Sequence, residues 1–204
     1  MPSQEALGVG AGAAAKIRLW ADPPVSLGSM QRIVLVSPKP PPTGGIARWT
    51  EIVLAEASRR ADISIDHIDT APRWRSIHHT GVPRRLLGGA VQGARDAITL
   101  KASLRTPAVA VAVTTSGHLA ALRDNLVILL ARQRHVATYL HVRMGRIPKI
   151  VETNGWEWRL LSRAMKLATG VVVLDVASER ALRSRLPGVR VQRIPNCVAI
   201  PNRW

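Results

Sequence analysis

Apolar residues gather in short unbroken runs, with longer stretches of helical spacing between them. Residues 33–37 read Ile-Val-Leu-Val-Ser, 108–113 alternate Ala and Val, and 170–174 read Gly-Val-Val-Val-Leu. Unbroken β-branched runs predict strands buried on both faces. Residues 63–68 alternate apolar with polar, a second kind of strand signal, and 136–142 and 189–194 complete a set of six. The intervening stretches predict helices. Ile46, Trp49, Val53 and Ala57 form one stripe over 46–60, and Leu87, Ala90, Val91, Ala94 and Ile98 another over 84–103. Residues 119–134 are amphipathic. Trp156, Leu160, Leu161, Ala164 and Leu167 stripe a helix that Asn154 starts, with Glu157 three positions on in the manner of a capping box. A short helix over 175–186 stops at Pro187-Gly188. Residues 38–45, 70–83 and 143–151 read as loops.

Strands alternate with helices and hairpin signals are missing. The fold class is therefore α/β, a Rossmann-like doubly wound parallel sheet with right-handed crossovers. Residues 1–30 show no periodicity and read as a flexible tail, 31–196 as the domain, and 197–204 as the start of a linker. Ligands of such sheets bind beyond the strand C-termini. Loops 38–45, 70–83, 115–118 and 141–148 are where chemistry is expected.

Hydrophobic residues make up 47% and charged residues 21% of the 204, enough to build a core and to exclude intrinsic disorder. Cys197 is the only cysteine, so neither an intrachain disulfide nor a cysteine zinc cluster can form, which favours a reducing compartment. No apolar stretch approaches the roughly 20 residues of a spanning helix. The N-terminus lacks the basic n-region of a signal peptide. A cytoplasmic location follows as the expectation. The formal charge is +16, and the excess begins at residue 72. Arg73, Arg75, Arg84, Arg85, Arg95, Lys101 and Arg105 face only Asp96 as far as residue 107. Such a field attracts phosphorylated ligands, anionic membrane or nucleic acid.

The loops offer specific candidates. Gly44-Gly45, before a helix, lets backbone amides approach an anion, or serves a turn needing positive φ. His141 and Arg143 end a strand, where an imidazole can position a hydroxyl and a guanidinium can pair with phosphate, or where both are structural. Ser116 and His118 offer a hydroxyl and a second strand-end imidazole, although Ser116 also fits a helix cap. Arg73, Trp74, Arg75, Arg84 and Arg85 combine an indole with cations, as membrane-contact residues do, or line a solvated loop. His78-His79 has no nearby acid or cysteine to complete a ligand set, so no metal is expected. Gly8, Gly10 and Ala13 match a dinucleotide fingerprint in spacing only, since no strand feeds them.

In this order the loops resemble glycosyltransferase family 4. The opening Arg32-Ile-Val-Leu-Val-Ser-Pro-Lys-Pro-Pro-Pro-Thr-Gly-Gly-Ile-Ala-Arg-Trp-Thr is similar to that family's strand, proline loop and Gly-Gly. Thr114-Thr-Ser-Gly-His-Leu, Tyr139-Leu-His-Val-Arg-Met-Gly-Arg-Ile-Pro148, Gly170-Val-Val-Val-Leu174 and Val191-Gln-Arg-Ile-Pro-Asn-Cys-Val198 follow in the family's order. The resemblance spans residues 32–198. It implies the N-terminal, acceptor-binding half of a GT-B architecture, whose partner domain binds most of the nucleotide-sugar donor. Transfer would retain anomeric configuration and need no cofactor or metal. Gly44 and Gly45 would lie near the donor diphosphate, and His141, the catalytic candidate, would face the acceptor or donor sugar. Ser116, His118 and Arg143 would contact substrate.

Two departures accompany the resemblance. The sequence ends at Trp204, before the family's paired-glutamate motif, so these residues alone are expected to transfer poorly or not at all, with a separate C-terminal domain chain as a possible partner. Asp175 stands where the family carries a small hydroxyl or neutral residue. The implied acceptor is lipid-linked or a cell-envelope glycan, at the inner face of the membrane. A basic, non-catalytic nucleic-acid- or membrane-binding module is the alternative. Against nucleic acid stand an aromatic content of 3% and the lack of an RNP, zinc-finger or helix-turn-helix pattern. Against a nicotinamide dehydrogenase stands the missing fingerprint after the first strand.

Overall fold

The computed structural model describes residues 30–40, 44–71 and 82–196. In chain order the elements are β1 (Gln31–Ser37), α1 (Gly45–Ala57), β2 (Ile63–Asp69), α2 (Val82–Ser103), β3 (Ala110–Thr115) and α3 (Ala120–Gln133). They continue with β4 (Ala137–Val142), α4 (Ile147–Thr153), α5 (Trp156–Leu167), β5 (Gly170–Val173), α6 (Val176–Arg185) and β6 (Val191–Arg193). All six strands pair in parallel, in the order β2-β1-β3-β4-β5-β6. This is the Rossmann-like doubly wound α/β fold that the alternation predicts.

The chain winds outward from β1 to β2, then returns past β1 to β3 and continues in the other direction. The direction reverses between β1 and β3, and in such sheets the crevice at that point is where ligands collect.

The two faces of the sheet differ. Val34, Val36, Val111, Val113, Leu140, Val142, Val171 and Val173 lie on one face and are fully buried. They join Leu100 of α2 and Leu104 just after it, Val127 and Ile128 of α3, Trp158 and Leu161 of α5, Ile147 of α4 and Leu182 of α6 in one continuous core. On the opposite face lie Ser37 and Leu35, the latter in register with Ala112 of β3 and through it with Tyr139 of β4. There α1 is the helix, packed on β1 and β2. Ala112, Tyr139, His141 and Val172 on that face are only half-buried.

At the N-terminal edge of the sheet, Arg32 ties three elements together. It pairs with Asp66 of β2 and donates to Ser103 O at 2.9 Å and Ser103 Oγ at 2.8 Å. It also donates to Thr106 O at 2.8 Å.

Two local expectations are corrected. Residues 143–151 are not all loop, because α4 starts at Ile147 with Pro148 among its first residues, where a missing N–H costs nothing. Asn154 does not cap α5. It ends α4 in the left-handed region at φ 48°, and extended Gly155 is the N-cap of α5, with no side-chain cap bond. Glu157 is thereby released for another task.

Candidate functional site

The crevice floor lies under the first turns of α1. Thr50 donates its hydroxyl to Ile46 O at 3.0 Å, so it accepts from Ser37 Oγ at 2.9 Å. His67 Nε2 lies 2.9 Å from Ser37 O. A carbonyl only accepts, so the proton is on Nε2. Asp69, at the end of β2, accepts from the amides of Lys39 at 3.0 Å and Ala71 at 2.9 Å. Together these contacts hold the entrance of α1 over the ends of β1 and β2. Ser37, Thr50, His67 and Asp69 were not singled out in the sequence, because their contacts join elements distant along the chain.

Gly44 is the N-cap of α1, extended at φ −178° and ψ 157°, without a side-chain cap bond, and the first turn carries no acid. Gly45 is the first helical residue. A Cβ at either position would meet nothing within 4 Å. Neither backbone conformation nor packing requires glycine, so the positive-φ turn is not the reason for the pair. Both residues are exposed, which leaves the first-turn amides open to close approach.

Trp49 follows one turn on and reaches across to the end of β4. Its ring meets the His141 imidazole edge-to-face, with centroids 4.9 Å apart at 85°. The Arg143 guanidinium lies 4.5 Å above the same ring, a cation–π contact. Arg143 also donates to Asn196 Oδ1 at 2.6 Å, joining the exits of β4 and β6, and lies 3.5 Å from His141 Nε2. Burial, reinforced by the Arg143 charge, pushes the His141 pKa down to about 4. The imidazole is therefore neutral at physiological pH. It can exchange hydrogen bonds with a hydroxyl while adding no charge, and Arg143 supplies the cation beside it.

Ser116 and His118 belong to a second group, built on the β3–α3 loop. Gly117 takes φ +79° and His118 φ +52°. Thr115 Oγ1 accepts from the Gly117 amide at 3.1 Å. Glu157 Oε1 accepts from the His118 amide at 2.6 Å, while Arg146 grips both carboxylate oxygens, at 3.0 and 2.6 Å. Arg146 also donates to His118 Nδ1 at 2.5 Å and to Ser116 O at 3.3 Å. Burial raises the Glu157 carboxyl. Arg146 and the His118 amide outweigh that effect and hold it below the usual carboxylate range. The cap expected of Ser116 is absent, since Leu119 is the N-cap of α3 without a side-chain bond. Ser116 and His118 are exposed on this clamped loop, with the His118 ring itself held by Arg146.

The structure thus joins His141 to Arg143 through Trp49, and joins His118 to the Ser116 backbone through Arg146 and Glu157. Trp49 read in sequence only as part of an apolar stripe. Arg146 was missed and Glu157 was read only as part of a capping box, because the two are 11 positions apart and meet a loop 39 positions away from Glu157. Arg73, Trp74 and Arg75 lie outside the described residues, as do the tail and linker segments. Arg84 and Arg85 fall near the start of α2, their side chains outside the described residues. Asp175, the departure from the family pattern, caps α6, accepting from Ser178 N at 2.7 Å and Ser178 Oγ at 2.8 Å. Among the described residues, no group of three or more His, Cys, Asp or Glu is placed to hold a metal, and no helix is long and apolar enough to cross a membrane. Compared with known families and with curated proteins, the chain matches no family model and no curated sequence.

Proposed function

We propose that the chain is the acceptor-side domain of a retaining glycosyltransferase resembling family 4. It would receive a sugar from a nucleotide-sugar onto a lipid-linked or cell-envelope glycan acceptor, at the cytoplasmic face of a membrane. One observation carries the proposal. An open Gly44-Gly45 pair begins α1 at the reversal of strand order, and one turn later Trp49 of α1 holds a neutral His141 and a cationic Arg143. Glycines that neither turn nor packing requires are what close approach of a diphosphate to backbone amides calls for. A neutral imidazole next to a guanidinium suits a sugar hydroxyl next to a phosphate. In this reading the first-turn amides of α1 and Arg143 face anionic oxygens, His141 orients a hydroxyl, and Trp49 keeps both side chains in place.

Amide NMR of the 204-residue chain tests the reading. UDP-glucose and GDP-mannose, added separately at millimolar concentration, are expected to shift Gly44, Gly45 and the His141 ring in at least one case. Arg143→Gln is expected to abolish the shift. Tighter binding of NAD or of a short RNA at the same residues, with no response to either nucleotide-sugar, would overturn it.

A further inference from the structure

The helix layer over the buried face of the sheet carries an apolar surface that the fold itself does not use. On α3, Ala121, Asp124, Val127, Ile128 and Ala131 are buried against the core. The outward side is apolar as well. Leu119, just before the helix, and Leu122, Leu126 and Leu129 within it are 53%, 53%, 40% and 41% exposed. Their 3–4–3 spacing places them on one stripe. The neighbouring α2 buries Leu100 and repeats the arrangement with Val91 and Ile98, seven positions apart and 63% and 70% exposed. Both helices bury their other sides in the same core, so the two stripes share one outer surface.

The charges on that surface have a single sign. Asp96 and Asp124, the acids of α2 and α3, are both buried. Among the described residues, the exposed ionisable groups are Arg95, Lys101 and Arg105 along and beyond α2, and Arg132, Arg134 and His135 at and just beyond the end of α3, with His118 before its start. Leucine, valine and isoleucine flanked by cations, on a pair of packed helices, are the makeup of a surface that lies in an anionic lipid interface. The aromatic anchors typical of protein–protein hot spots are missing from it. A second copy of the chain would set like charges against each other.

We propose that the outward faces of α2 and α3 dock on an anionic bilayer, with Leu119, Leu122, Leu126, Leu129, Val91 and Ile98 entering the headgroup boundary. The inference deepens the membrane-face role proposed above but moves the contact from the 73–85 segment to the helix layer. It is read from vesicle binding without sugar transfer, so its failure leaves the transferase reading standing, and the reverse holds too.

The full 204-residue chain is floated with phosphatidylcholine vesicles containing about 30% phosphatidylglycerol and with phosphatidylcholine alone. Binding to the anionic vesicles and little to the neutral ones is expected. Leu122→Gln, Leu126→Gln and Leu129→Gln combined should weaken it by about tenfold or more, as should Arg95→Gln, Lys101→Gln and Arg105→Gln combined. Should the leucine variant fail to fold, an environment-sensitive dye on Leu126→Cys in a Cys197→Ser background reads the same contact. It should shift to the blue on anionic vesicles, while the dye on Arg180→Cys should not. Absence of binding, equal binding by the variants, or an unshifted dye at position 126 would overturn the proposal. So would a dimer in light scattering that the leucine variant dissolves while vesicles go unbound.

Discussion

The guanidinium of Arg143 rests 4.5 Å above the indole of Trp49, and this contact joins the first helix of the fold to the exit of its fourth strand. Arg→Lys at this position keeps the charge but loses the planar stack and the fixed fork that reaches Asn196. We expect Arg143→Lys to lower unfolding stability by about 0.5–2 kcal/mol. Trp49→Phe should lower it less than Trp49→Leu, because a ring face remains. Urea titrations of the three variants measure this, and a stability order with Trp49→Leu at the top would refute the stacking role.

His141 gives stability a dependence on pH. Its folded pKa, about 4, lies below the ordinary histidine value of 6.5. Between those values the unfolded chain binds more protons than the folded one, so stability falls as pH drops from about 6.5 towards 4. The loss amounts to no more than about 3–4 kcal/mol for a shift of that size. In His141→Gln the acid limb should be shallower by that amount. Thermal melts from pH 7 to pH 4 on both proteins check it; parallel curves would mean that His141 titrates normally.

Gly117 and Gly188 make a matched pair. A Cβ on Gly117 would fall 2.5 Å from Glu157 Oε1 and 2.8 Å from Arg146 Nη2, on a backbone with φ +79°. Gly188 has open space around it and no positive φ. Gly117→Ala should cost about 2–4 kcal/mol through strain and displacement of the clamp, whereas Gly188→Ala should stay within about 0.5 kcal/mol of the parent. Similar values for the two would show that the loop yields more easily than its packing implies.

Glu157 is the acid that the clamp closes on. Glu157→Gln keeps the shape but gives up the charge facing Arg146, and about 2–4 kcal/mol should be lost at neutral pH. The depressed carboxyl makes its contribution present above the unfolded pKa, and the contribution disappears as pH falls through the folded value. The gap between parent and variant should therefore close on acidification. Amide exchange at Gly117 and His118 should speed up in the variant, since Glu157 Oε1 accepts from the His118 amide. A gap that persists at low pH would assign the loss to packing.

The strands were legible because their signal is local. Apolar runs at 33–37, 108–113 and 170–174 coincide with β1, β3 and β5 to within two residues or so at each end, and alternation at 63–68 located β2. The half-buried face of the sheet was not legible, since a run such as Ala110–Thr115 looks equally apolar on both sides. The spacing of Asn154 and Glu157 has the form of a helix start. Glu157 instead answers to Arg146 and to the amide of His118, and no local window holds those three residues. Trp49 shows the same limit. Its stripe gave its face of the helix correctly, but the partners on that face come from the end of β4 and the residue just beyond it, more than ninety positions later. Gly44 and Gly45 were visible as a pair, while their lack of any conformational duty needed coordinates.

The network around Arg32 bears on how the chain is made. Arg32 leaves the ribosome well before its carbonyl partner at Pro107, which is 75 positions downstream. At the usual translation rate of 5–20 residues per second, β1 spends about 4–15 s outside the ribosome before β3 exists to pair with it. During that interval the run Ile33-Val-Leu-Val-Ser has an unpaired side, the kind of nascent edge on which chains adhere to one another. Pro38 and Pro40, directly after it, offer no amide for extending a pairing, and Arg32 and Lys39 charge both of its ends. The loop that opens the crevice thus also guards the first strand while its neighbour is still being translated.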